Sequence, residues 1–88
     1  MEIVGKIVEF TPIETGTSAN GTWSKRYVVI ETLDQNQTKV AFSAMNAKLE
    51  EVNKHTLNEV VRVRFGLSSR KVEQRWFSEI QLWGIQNV

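Results

Sequence analysis

Between Glu59 and Leu67 the side chains alternate without a slip. Val61, Val63, Phe65 and Leu67 fall on one side, and Val60, Arg62, Arg64 and Gly66 on the other. A period of two over that length predicts a strand lying between a core and solvent. A lone strand has no partner for its backbone, so the rest of the chain must supply a sheet. With 88 residues there is room for one small domain and one continuous core, so 1–88 reads as a single domain.

Four further stretches read as strands. The first, Ile3 to Phe10, is apolar on both faces and carries Gly5 in its middle, which suggests a bulge or bend there; Pro12 ends it. Thr15 to Thr22 reads as a polar loop holding the turn dipeptide Asn20-Gly21. The second strand, Trp23 to about Thr32, sets Val28 and Ile30 against Trp23, Lys25, Tyr27 and Val29. After the short polar link 34–37, the third strand, Thr38 to Ala44, pairs antiparallel with it. There Val40 and Phe42 alternate with Lys39, Ala41 and Ser43.

The one helical candidate is about Ala47 to Lys54, with Asn46 as N-cap, Leu49 and Val52 on one face, and Glu50/Lys54 as a charge pair. The alternating stretch from Glu59 is the fourth strand. Ser68 to Arg75 reads as a basic loop, and Trp76 to Ile85 as the last strand, with Gly84 able to shift its register. The order is three strands, a short helix, then two strands. The expected fold class is all-β, a five-stranded OB-fold barrel with a short helix between strands 3 and 4. An SH3-like barrel competes, but a helix in that slot argues against it.

Composition removes several functions. There is no cysteine, so neither a disulfide scaffold nor cysteine-ligated zinc is expected. The lone His55 has no second histidine for a metal and reads as a surface residue at the helix end. The segment Gly16 to Gly21 has the glycine spacing of a phosphate loop, but Thr22-Trp23 stands where Lys-Ser/Thr is required. No nucleophile–base pair is visible, so no enzyme and no cofactor are expected. The sequons at Asn20 and Asn36 read as turn sequences. No apolar run reaches the roughly 20 residues of a membrane span, and the N-terminus lacks a secretory layout; a cytoplasmic protein with no membrane partner is expected.

Eleven Lys and Arg against ten Asp and Glu leave a net charge of only +1. The cations are unevenly placed. Arg62, Arg64, Arg70, Lys71 and Arg75 stand against Glu73 alone in 60–76, and Lys25 and Arg26 stand without an acid in 20–29. Single-stranded nucleic acid offers flat bases and a phosphate chain, so its binder needs exposed rings beside spaced cations. Trp23, Lys25 and Tyr27 share one face, expected to lie opposite Lys39, Ala41 and Ser43. The loop 68–75 adds Arg70, Lys71 and Arg75, with Arg62 and Arg64 leading toward it. Trp76 reads as core by its alternation with Ile80 and Leu82, yet the basic loop runs directly into it. Trp83 is left open between core and surface.

Three segments carry a family resemblance: Met1-Glu2-Ile3-Val4-Gly5-Lys6-Ile7, Asn20-Gly21-Thr22-Trp23-Ser24-Lys25, and Arg75-Trp76-Phe77 followed by Ile80 and Trp83. They resemble a family of short bacterial proteins known only as a domain of unknown function and grouped with single-stranded-DNA-binding-protein-like OB-folds. More distantly, the opening Val4-Gly5-Lys6-Ile7, Val61-Arg62-Val63 and Arg75-Trp76 are similar to bacterial single-strand binding proteins. The resemblance implies an OB-fold, single-stranded DNA as ligand, and association as a homodimer or tetramer. It also implies Trp23, Lys25 and the 70–75 loop as groove positions. Those proteins end in an acidic, Phe-containing tip; this chain stops at Gly84-Ile85-Gln86-Asn87-Val88, so recruitment through such a tip is not expected.

The expectation is therefore binding of single-stranded DNA, or RNA, with little sequence preference. Its candidate contacts are Trp23, Lys25, Arg26, Tyr27, Lys39, Arg62, Arg64, Arg70, Lys71, Arg75 and Trp76. The alternatives are an OB-type protein-interaction module whose basic loop meets an acidic partner, and an oligosaccharide-binding module.

Overall fold

The computed structural model describes residues 1–88. Six strands and one short helix follow in order: β1 (Glu2–Phe10), β2 (Glu14–Ser18), β3 (Gly21–Thr32), β4 (Lys39–Met45), α1 (Ala47–Val52), β5 (Val60–Val72) and β6 (Arg75–Asn87). The sheet order is β1-β5-β6-β4-β3-β2, and β1 also pairs with β3. That extra pairing closes the sheet on itself. Every contact is antiparallel except β4 with β6, which meet in parallel at Ser43 and Gln81.

The closed part is sealed by the apolar positions that alternate into it. Ile7, Val28, Ile30, Phe42, Val61 and Val63 are fully buried, and Ala44 and Leu82 nearly so or completely. Phe42 and Phe65 meet at 5.1 Å between ring centroids, tilted by 57°. Val52 and Leu49 of α1 are buried, so the helix plugs one end of the core. No helix is long and apolar enough to cross a membrane.

Several local expectations change. The irregularity in β1 falls between Ile7 and Glu9, not at Gly5. Gly5 instead lies where β1 passes tightly against β3: a Cβ there would stand 2.5 Å from the Glu31 carbonyl oxygen. Asn46 does not cap the helix with its side chain; Oδ1 accepts from the Ser24 N–H at 3.2 Å. The helix ends at Val52, and its ion pair is Lys48–Glu51, 3.1 Å. His55 is not a surface residue, its side chain being only 10% exposed; Nδ1 lies 3.1 Å from Glu59 Oε2.

The two stretches read as loops are hairpin arms. Residues 14–18 form β2, paired with Gly21–Lys25 around a turn at Ala19-Asn20, with Gly21 at φ 114°. The segment 68–75 continues the β5–β6 ladder to Val72 and Arg75 around a tight turn at Glu73-Gln74. Past Phe65, β5 has no partner but β6, because β1 pairs only with 60–64. Both arms stand clear of the core, so neither face needs to be apolar and no period-two signal marks them. They account for a long axis of 41 Å against 29 and 20 Å across.

Candidate nucleic-acid interface

The two arms flank a groove of about 620 Å³. β3 supplies Trp23, Lys25 and Tyr27, which alternate outward while Val28 and Ile30 turn in. The far wall comes from β5 and β6, with Ser68, Arg70, Phe77 and Glu79; Met45 and Gln81 close one end. Arg70 and Phe77 are cross-strand partners, and so are Ser68 and Glu79, so each pair presents to one face of the arm. Arg75 sits over the Phe77 ring at 5.9 Å.

Lys25, Tyr27 and Glu79 join the two walls. Lys25 Nζ pairs with Glu79 Oε1, the Tyr27 hydroxyl donates to the same oxygen at 2.8 Å, and Lys25 lies over the Tyr27 ring at 4.9 Å. Burial alone would lower the pKa of the Lys25 ammonium, but the hydrogen bonds to Glu79 and Tyr27 outweigh it and leave it raised. The bond from Lys25 holds the Glu79 carboxyl below its ordinary range against its own desolvation, helped by the Tyr27 bond and by the charges of Lys25 and Arg70. Lys25 is thus neutralised where it stands, and Arg70 is the groove cation without an ion pair.

The other expected contacts divide. Arg26 is on the inward-facing side of β3, and its guanidinium leaves by the end of the sheet. Nε donates to the Thr11 carbonyl at 3.0 Å and Nη1 to Asn53 Oδ1 at 2.7 Å, and the group lies over Phe10 at 5.2 Å. It is spent on structure. Lys39 pairs with Glu31 at the far end of the β3–β4 ladder, and Ala41 with Val29. Ser43 stands across from Tyr27 but is buried, its hydroxyl donating to the Ile80 carbonyl at 3.3 Å, so it leaves no open floor. Lys71 and Trp76 are partners on the opposite face of the arm from Arg70 and Phe77. Trp76 is 68% exposed and belongs to no core.

Arg62 and Arg64 lie on the same face of β5 as Gly66, Ser68 and Arg70. Arg62 Nε is 4.0 Å from Glu2, and the Arg64 guanidinium lies across Gly84. Trp83 is the extra residue in β6 where the register with β5 shifts, beside Gly84 rather than on it. Its ring covers Gly66, where a Cβ would come within 2.1 Å of it, yet the residue is 55% exposed. Trp23 lies over its partner Gly16 in the same way. A second hollow of about 180 Å³ adjoins the groove through Met45 and Gln81, and Trp83 and Lys48 line it. The ring residues therefore run from Trp23 and Tyr27 through Phe77 to Trp83.

Phe77, Glu79, Gln81 and Met45 escaped the sequence reading. Period two along 77–81 puts the first three on one face of the last strand, but taking 68–75 as a loop removed the partner strand that completes the groove wall beside them. No three metal-ligating side chains come together. A search of curated proteins finds no match. A family model covers residues 2–86, nearly the whole chain: this protein belongs to the family described as a domain of unknown function, DUF3127.

Proposed function

We propose that the chain binds single-stranded nucleic acid, DNA in the first instance, along the groove between the two arms. The observation that carries this reading is the joining of three rings, Trp23, Tyr27 and Phe77, with Arg70 in one open trough. Stacking on such rings contributes about 1–3 kcal/mol per base. The closed ring of five long strands, with β4 and β6 parallel and α1 between β4 and β5, supports an OB-fold. In that fold the corresponding strand face and its two flanking hairpins hold oligonucleotides.

Because Glu79 neutralises Lys25, the electrostatic share is small. With two or three phosphates met by Arg70, Arg75 and Arg64, log affinity should fall against log salt with a slope of roughly −1.4 to −2. Titrating tryptophan fluorescence with oligo-dT and oligo-dC at low and high salt tests this. Quenching with that shallow slope is expected, and Arg70→Ala lowers the slope by about one. Absence of quenching at every salt concentration with both strands overturns the reading.

The opposite face of the β5–β6 arm supports association with a second copy. Leu67 and Trp76 are 64% and 68% exposed there, on a stretch where each strand has one free edge. Sedimentation of the free protein should give a dimer that Trp76→Glu dissociates; a monomer at micromolar concentration removes this part of the proposal.

A further inference from the structure

At the centre of the groove stands a carboxylate with half of its capacity spent. Lys25 and Tyr27 both donate to Glu79 Oε1. Oε2 accepts nothing from the protein, and no side-chain polar atom of the chain is both buried and unpartnered, so Oε2 is open to solvent. The side chain is 31% exposed and lines the groove. Its position is held from the opposite wall, by a cation and a hydroxyl that both come from β3.

Stacking rings stand on both sides of this acceptor. Tyr27 touches it through its hydroxyl, and Phe77 precedes it by two residues on the same face of β6. A base lying on either ring brings its polar edge within reach of Oε2. Cytosine and adenine carry an exocyclic amino group that donates to a carboxylate. Thymine and uracil carry carbonyl oxygens instead, and their one ring N–H lies between two of them. Against Oε2 those carbonyls are repelled, and the carboxylate loses water without gaining a donor.

We infer that Glu79 makes the groove select bases with an exocyclic amino group over thymine and uracil. The inference rests on the reading that the groove takes single-stranded nucleic acid, and replaces an indifferent binder with one that has a preference. Glu79 has two separable roles: Oε1 orients Lys25 and Tyr27, and Oε2 reads the base. A merely structural carboxylate would not change the ranking of two strands.

The test compares oligo-dC with oligo-dT of equal length, at one salt concentration and at a pH well above cytosine's own protonation. The pyrimidine rings are of equal size, so stacking differs little. Wild-type protein should bind oligo-dC about tenfold more tightly, as for one hydrogen bond to a charged group. In Glu79→Gln, checked for folding by circular dichroism, the ratio should fall to within about twofold. An oligonucleotide of N4,N4-dimethylcytosine has no amino hydrogens and should bind wild-type protein like oligo-dT, a result that needs no variant. Equal affinity of wild-type protein for oligo-dC and oligo-dT overturns the inference and leaves the groove reading standing. So does a preference that survives in folded Glu79→Gln or with the dimethylated strand. Binding of neither strand overturns both.

Discussion

The closed part of the sheet and its two arms are made of the same strands but obey different rules. In the closed part each strand has two neighbours and one face against Phe42, Ile7 and Ile30, so a fully buried inward position takes only apolar side chains of the right size. In the arms, residues 14–24 and 66–80, each strand has one main neighbour, both faces meet solvent, and no side chain is fully buried. Burial therefore dictates residue type in the first region and leaves it free in the second. Most of the groove belongs to the arms, where free positions have been filled with rings, hydroxyls and an arginine, while Lys25, Tyr27, Met45 and Gln81 face it from the closed part. Fold and ligand contact are separated along single strands: β3 seals the core with Val28 and Ile30 and reaches the groove with Trp23.

Three changes probe this separation. Phe42→Ala removes the largest fully buried side chain and should cost about 3–5 kcal/mol, measured by denaturant unfolding. A loss under about 1 kcal/mol would mean that the closed part is not the stabilising unit. Gly66→Ala is milder. Its Cβ drives the Trp83 ring off the strand, at about 1 kcal/mol or the low end of the cost of overpacking, since the indole can swing into solvent. Its expected signature is a shift of tryptophan emission without loss of the sheet; unchanged emission would mean that the ring does not rest there.

The smallest effect belongs to the link between the arms. Glu79 has a lowered pKa, so its contribution is present above the ordinary value of 4.5 and disappears as pH falls through the folded value. Lys25 has a raised one, so its share is present below 10.5 and disappears as pH rises through the folded value. A partly exposed pair of this kind, screened by solvent, is worth at most about 1 kcal/mol. In Glu79→Gln the acid limb of a stability–pH curve should flatten. Glu59, its pKa lowered chiefly by the Thr56 backbone N–H, keeps the limb from vanishing.

The same division explains what could be read from the chain. All five long strands and the helix were legible, because Val61-Val63-Phe65 and Val28/Ile30 alternate as half-buried strands must. The closure through β1 and β3 was expected only from the order of the elements, because apolar residues on both faces of β1 do not say which strands lie at its edges. The arms were not legible: Glu14–Ser18 and Ser68–Arg75 are polar on both sides, and pairing without a core leaves no periodicity. Trp23, Lys25, Tyr27 and Arg70 were found through residue type, and all four line the groove. Arg26 was misread for the same reason, since residue type cannot show a guanidinium already held by Thr11, Asn53 and Phe10. Lys39 was misplaced by assuming the β3–β4 register.

Two tryptophans lie flat on glycines, Trp23 on Gly16 and Trp83 on Gly66. Each pair is sterically linked, because a side chain on the glycine would need the space that the indole fills. Across relatives, positions 16 and 23 should change together, as should 66 and 83. Any descendant that gains a side chain at 66 while keeping Trp83 must carry that ring elsewhere.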